Sequence, residues 1–200
     1  MPKSIAIALG LLAAAATVPA LAVNMSTPET QIFGKDPGKD RAFACFVRHY
    51  DAKHLKAHPQ QNVTDMLMLV DSSYDADSQS RSYALTLSSQ FRTVKQAYMS
   101  YGGCSGEIAG QKLSCYIDCD GGAIDVRFKD TNNILVDIPY GARLEDPTVD
   151  FDTEDPTADI PDKAQFGPDD KTFLLTRVAN DLCVDLINDD DKQALLDSAR

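Results

Sequence analysis

Positive charge is scarce in this sequence: 19 Lys and Arg stand against 30 Asp and Glu, a formal net charge of −11 over 200 residues. Phosphate backbones need Lys and Arg to displace their counterions, so the balance disfavours nucleic acid, and it argues equally against anionic membrane surfaces. A basic protein or a cation is the electrostatically natural partner. Catalytic signatures are missing as well. The chain has no G-x-x-x-x-G-K-[ST] phosphate loop, no G-x-S-x-G nucleophile elbow and no H-E-x-x-H metalloprotease pair. The glycine-bearing run "GGCSG" around Cys104 matches none of these, and Cys104 as a nucleophile would need both a base and a reduced thiol. Histidine is scarce too, and the three present all fall within "RHYDAKHLKAHP".

The N-terminus reads as an export signal. Lys3 precedes an apolar stretch over residues 5–18, and Ala20-Leu21-Ala22 behind Pro19 fits the small-x-small cleavage pattern. The stretch is short for a bilayer span of about 20 residues, which favours cleavage over an uncleaved anchor. Residues 1–22 are therefore expected to leave as a signal peptide. Val23 follows rather than cysteine, so no lipid anchor is expected and the mature form is not membrane-bound. Loss of Lys3 takes the charge to −12. The expected location is the periplasm or the medium. The 178 remaining residues suit one domain, with 23–40 a flexible segment and 41–200 a single β domain.

Period-2 alternation dominates that domain. "RSYALTLSSQF" sets Tyr83, Leu85, Leu87 and Phe91 on one face against Ser82, Ala84, Thr86, Ser88 and Gln90. "LSCYIDC", "AIDVRF", "ILVDIPY" and "KTFLLTRV" read as further strands. "TDMLMLVD" is apolar on both faces, which predicts a strand covered on both sides. Tight turns fit at "DCDGGA" and "DTNN". The pattern predicts an all-β fold, an antiparallel meander closing into a small barrel, with a β-sandwich as the alternative. A short helical turn is expected near 51–58 and a short C-terminal helix in "NDDDKQALLDSAR". Residues 144–170 hold ten acidic residues, four prolines and one lysine, and predict an exposed loop too polar to order itself. Its "DFDTEDPTAD" spaces carboxylates as calcium would want, yet lacks the glycine turn and closing glutamate of an EF-hand, so a solvated loop is preferred to a Ca site.

Five cysteines survive processing, and export makes disulfides the default, with at least one thiol left over. Cys115 and Cys119 are four apart on one expected strand, a Cα separation of ~13 Å that no disulfide spans. Cys104 is the nearest candidate for Cys115, and Cys119 is expected to take Cys183 or Cys45. A thiolate zinc site is disfavoured without a C-x-x-C pair.

Asp51 is a natural N-cap for a short helix that Pro59 stops, placing His54 and His58 at i and i+4. With His49 or Asp51 they form the candidate zinc set, His49, Asp51, His54 and His58. Against metal, Pro59 biases His58 out of the α region. The preferred reading is a capped turn whose imidazoles bond to backbone, over a metal site or a pH-responsive histidine.

The run Tyr50, Asp51, His54, Leu55, His58, Pro59, Gln61, Val63 and Thr64, with Cys115, Cys119, Asp120, Gly121 and Gly122 later, resembles a family of exported bacterial proteins. That family shares a Tyr-Asp-x-x-His-Leu-x-x-His-Pro-x-Gln-x-Val-Thr run and a Cys-x-x-x-Cys-Asp-Gly-Gly element, and the likeness spans roughly residues 45–183. The resemblance implies export and no particular activity, so it carries over no catalytic residue. His49 and the acidic loop lie outside its pattern. The functional expectation is an exported, non-catalytic binding module without cofactor, an inhibitor or binder of a basic protein such as a hydrolase, or a carrier of a small ligand. The alternative is a metal-dependent hydrolase using Asp51, His54 and His58.

Overall fold

A computed structural model of the chain describes residues 27–105, 112–118 and 120–198. The expected signal peptide and Cys119 lie outside the described residues. Eight antiparallel strands close into a barrel in sequence order: β1 (Ala42–His49), β2 (Val63–Asp75), β3 (Ser80–Phe91), β4 (Tyr98–Cys104), β5 (Lys112–Tyr116), β6 (Ala123–Phe128), β7 (Asn133–Asp137) and β8 (Thr172–Val178). Closure comes from β8 pairing with β1, Cys45 opposite Val178 and Val47 opposite Thr176. The barrel, not the sandwich, is what the alternation builds.

Side chains fill the interior. Phe46, Met66, Met68, Leu85, Leu87, Phe91, Leu113, Ile124, Ile134, Ile138 and Phe173 are all essentially inaccessible. Alternation puts every second residue inward, and the inward residues here are large enough to leave a packed core rather than a lumen. Outward positions on the same strands carry Thr86, Ser88, Asp125, Arg127 and Thr176.

The doubly apolar strand β2 has its cover. Leu69 faces out and packs with Phe43, Cys45, Cys183, Leu186 and Leu195. These belong to β1, to a 3-10 helix (Asn180–Leu186) and to a helix at Asp189–Ser198, which lie against the barrel wall. The Cys45–Cys183 bond staples this layer down. Cys104 is bonded to Cys115. That bond closes the seam between β4 and β5, where Gly103–Tyr116 and Cys104–Cys115 are the pairs among the described residues. Because Cys45 and Cys183 bond each other, neither is left for Cys119, a correction to the expected pairing. The strand expected to run through Cys119 stops at Tyr116. Asp120 has φ 59 there and the Gly121 N–H donates to Asp118 O (3.1 Å), so the chain turns instead.

Part of the segment expected to be loose is a helix, α1 (Pro28–Phe33), capped by the Thr27 side chain, which accepts from Thr30 N–H. Ile32 is fully buried and Phe33 stacks on Tyr83 at 6.5 Å. The Tyr83 hydroxyl donates to Glu29 (3.1 Å), and burial beside that carboxylate pushes it up to about 12. Helix α1 thus plugs one end of the barrel with apolar side chains.

Candidate functional site

The other end carries the connections β1–β2, β3–β4, β5–β6 and β7–β8, and with them the histidine run, the Asp120-Gly121-Gly122 turn and the acidic loop. Helix α2 (Ala52–Ala57) sits in the first. The Asp51 carboxylate accepts from His54 N–H (2.7 Å), the N-cap its sequence implies. His58 leaves the helical region at φ −120, ψ 73, as the following proline requires. The imidazoles nonetheless stack: His54 on His58 with ring centroids 4.3 Å apart, and Tyr50 on His54 at 4.6 Å. The Arg48 guanidinium covers the outer face of Tyr50 at 4.4 Å. Stacked imidazoles hold their ring nitrogens in near-parallel planes rather than converging them on one ion. His54 Nε2 bonds Gln61 Oε1 (2.9 Å), and the buried Gln61 amide donates to Val63 O (2.8 Å). His49 stands apart on β1 against Asp65, Nδ1 to Oδ1 2.5 Å. Among the described residues no three His, Cys, Asp or Glu side chains group as a metal set.

Arg92, at the end of β3, ties this turn to the barrel. Its guanidinium donates to the carbonyls of Gln61 (2.6 Å), Leu55 (2.7 Å) and His58 (2.7 Å). Leu55 O is a carbonyl that the C-terminal end of α2 leaves without an intrahelical partner, since Pro59 has no N–H to offer it, and His58 and Gln61 lie just beyond; a cation is the natural group to collect them. Arg92 lies 34 residues beyond His58, and nothing local in sequence marks the role.

The acidic loop is anchored rather than adrift. Asp170 is fully buried and its carboxylate accepts from three backbone N–H groups, those of Asn62 (2.7 Å), Gly167 (2.8 Å) and Val63 (3.2 Å). Burial pushes this carboxyl above its ordinary range while the three donors pull it back. The Asn62 side-chain amide donates to the carbonyls of Lys163 and Gln165, each at 2.8 Å. Gly167 comes so close to the β1–β2 connection that a Cβ there would lie 2.1 Å from Gln60 O. This latch holds Phe166 edge-on against Phe91 (5.6 Å) and Phe173 (6.4 Å), closing the barrel mouth. The loop's composition offers too few apolar residues to order it; buried polar anchors order it instead.

Several loop carboxylates are spent on local turns. Asp146 accepts from Thr148 N–H and hydroxyl, and Asp155 likewise from Thr157. Those hydrogen bonds hold both carboxyls below their ordinary range. The calcium-like spacing of "DFDTEDPTAD" is therefore, in part, turn chemistry. Asp152, Glu154, Asp159, Asp162 and Asp169 remain exposed. Two aromatic rings stand out among them, Tyr140 at 93% and Phe151 at 78% exposure.

Where the loop leaves β7 it completes the barrel wall. Met99 and Glu145 exchange backbone hydrogen bonds (2.9 and 2.7 Å), and Arg143 N–H donates to Gly121 O (2.8 Å). The Asp120-Gly121-Gly122 turn packs tightly here: a Cβ on Gly122, whose φ is +95, would lie 2.7 Å from Gly141 O. Between this turn and the loop runs an open groove of about 600 Å³, floored by Ala142, Leu144, Ile160 and Phe166, with Arg143 and Lys171 also lining it.

The His49 and His54 rings are hydrogen-bonded to Asp65 and Gln61, and Cys104 is committed to its bridge. Comparison with protein-family models, with curated proteins and with solved structures finds no match for this chain. The fold itself defines the class, a disulfide-bridged, closed eight-stranded meander barrel with a packed interior and one elaborated end. Its two bridges suit an oxidising environment.

Proposed function

We propose that this protein is an exported, non-catalytic binding module that docks on the basic surface of another protein, such as a hydrolase, through its acidic loop. The observation that carries the reading is Phe151, exposed at 78% between Asp150 and Asp152 on a loop that is latched in place. An aromatic anchor ringed by carboxylates and held on an ordered loop is the composition of an interface centre for a cationic partner. The packed interior supports surface docking over the carrier variant. Polar outward strand faces around an apolar interior are the inverse of a membrane-spanning barrel. The N-terminal signal and the bridges support export to the periplasm or medium, with cleavage after Ala22. Intact mass of the natively exported chain tests the cleavage, and a retained N-terminus would overturn it.

The experiment is capture of partners from native periplasm or medium, followed by affinity measurement with the purified partner. A basic partner whose affinity falls about tenfold or more in Phe151→Ala, and falls again with added salt, is the expected result. A partner indifferent to both would refute the proposal.

A further inference from the structure

We infer that the groove between the Asp120-Gly121-Gly122 turn and the acidic loop binds an amphipathic organic monoanion, an aryl or short acyl carboxylate or sulfonate. The site is separate from the exposed Phe151 face and stands on different observations. At −11 overall the surface repels anions, but the groove reverses that balance locally, with Arg143 and Lys171 facing it against Asp120. Arg143 is held by Glu145 (3.0 Å), whereas Lys171 makes no ion pair among the described residues. An exposed ammonium at the rim of an apolar floor is how a site orients an amphipathic anion, head to the cation and body to the floor. The volume, about 600 Å³, suits a small molecule rather than a polymer segment.

The wall is shaped for a flat body. A Cβ placed on Gly141 would meet nothing within 4 Å, so bare backbone faces open space there, and the exposed Tyr140 ring stands beside it. The charge limits the ligand as well. One unpaired ammonium, with Asp120 in the lining and Asp159 and Asp162 on the loop above, neutralises a single negative charge and repels a polyanion. A cation gains little, since two basic side chains face the groove.

The test is fluorescence titration of the full, oxidised chain with anilinonaphthalene sulfonate, an amphipathic aryl monoanion, beside its uncharged analogue phenylnaphthylamine. The expected result is saturable binding at one site, about tenfold weaker for the uncharged analogue and for Lys171→Glu, the scale of one lost charge contact. Lys171→Arg should retain affinity. Lys171 is exposed, so both variants should fold, which thermal melts check. The two-probe comparison on the wild type stands even if a variant fails. Displacement of the probe by naphthoate or octanoate supports the class. Equal affinity for both probes, unchanged affinity in Lys171→Glu of normal melting temperature, or no saturable binding would each overturn the inference.

Discussion

Asp170→Ala is the most telling single perturbation, because one carboxylate holds both the loop and the barrel mouth. Its removal strips the acceptor from the N–H groups of Asn62, Val63 and Gly167. A buried donor left without an acceptor costs about 1–3 kcal/mol, and bonds to a charged group sit at the strong end of that range. Against this, the variant no longer has to desolvate a carboxylate, and burial is the largest influence on this group. The net loss should be roughly 3–5 kcal/mol, and in a domain of this size each kcal/mol moves the midpoint by about 2–4 °C. Thermal unfolding by circular dichroism should therefore fall by roughly 6–20 °C, with faster amide exchange at Asn62, Val63 and Gly167. The isosteric Asp170→Asn should lose less and has a pH signature. A folded-state carboxyl raised above its ordinary 3.8 binds the proton more firmly than the unfolded chain does. Its stabilising contribution is complete below that value and is lost as pH rises through the raised one. The deficit of Asp170→Asn relative to wild type should accordingly shrink from acid toward neutral pH. A wild-type-like midpoint for Asp170→Ala, or a deficit of Asp170→Asn that grows with pH, would refute the latch as described.

The other tests are simpler. Cys104→Ala/Cys115→Ala opens the two-pair seam and releases a loop of sequence separation 11, whereas Cys45→Ala/Cys183→Ala releases one of 138. Loop closure alone gives upper values of roughly 3 and 5 kcal/mol, so in urea unfolding the second pair should cost more; the reverse order would contradict the loop-length account. Titration of the denatured, unreduced chain should find one thiol, five cysteines less two bridges. His54→Gln/His58→Gln should lose about 1–2 kcal/mol through Gln61 and the ring stack, and chelator should leave the wild-type midpoint unmoved. A zinc-dependent rise reversed by chelator would instead restore the metal reading. Gly167→Ala should lose roughly 3 kcal/mol, because its Cβ meets backbone rather than a movable side chain, and unchanged thermal stability would show the approach is looser than described.

The barrel was legible because strict alternation leaves few alternatives. Tyr83, Leu85, Leu87 and Phe91 are all buried, with Ser89 beside them on the inward face, and their outward neighbours Ser82, Ala84, Thr86, Ser88 and Gln90 are half-buried or exposed. The two apolar faces of β2 announced an outer layer, though not that a 3-10 helix and the Asp189–Ser198 helix would supply it. The capped histidine turn was legible for a local reason, since caps and prolines act within a few residues. Arg92, Asp170 and Gly167 were not legible. Each acts across the barrel, Arg92 on carbonyls 31 to 37 residues away and Asp170 on N–H groups 107 and 108 away. Composition counted Asp170 as one more solvated carboxylate, and only the register brings Asn62 and Val63 beneath it.

That register also explains why the unusual runs gather in one place. In a closed meander alternate connections share an end, so the histidine turn, the Asp120-Gly121-Gly122 turn and the acidic loop must be neighbours however far apart they stand in sequence. The two ends are then closed by different physics. At one, Ile32 and Phe33 of α1 bury apolar surface, and removing them would expose it to water at full cost. At the other, the mouth is closed by Phe166, but the segment carrying it is tied down by N–H and carbonyl groups that water can replace at a smaller net cost. A polar latch is the cheaper of the two to rearrange, and both the exposed Phe151 and the Lys171 groove sit on the segment it holds. Occupancy of either should therefore be read most directly in amide exchange at Asn62, Val63 and Gly167, with the α1 end left unchanged.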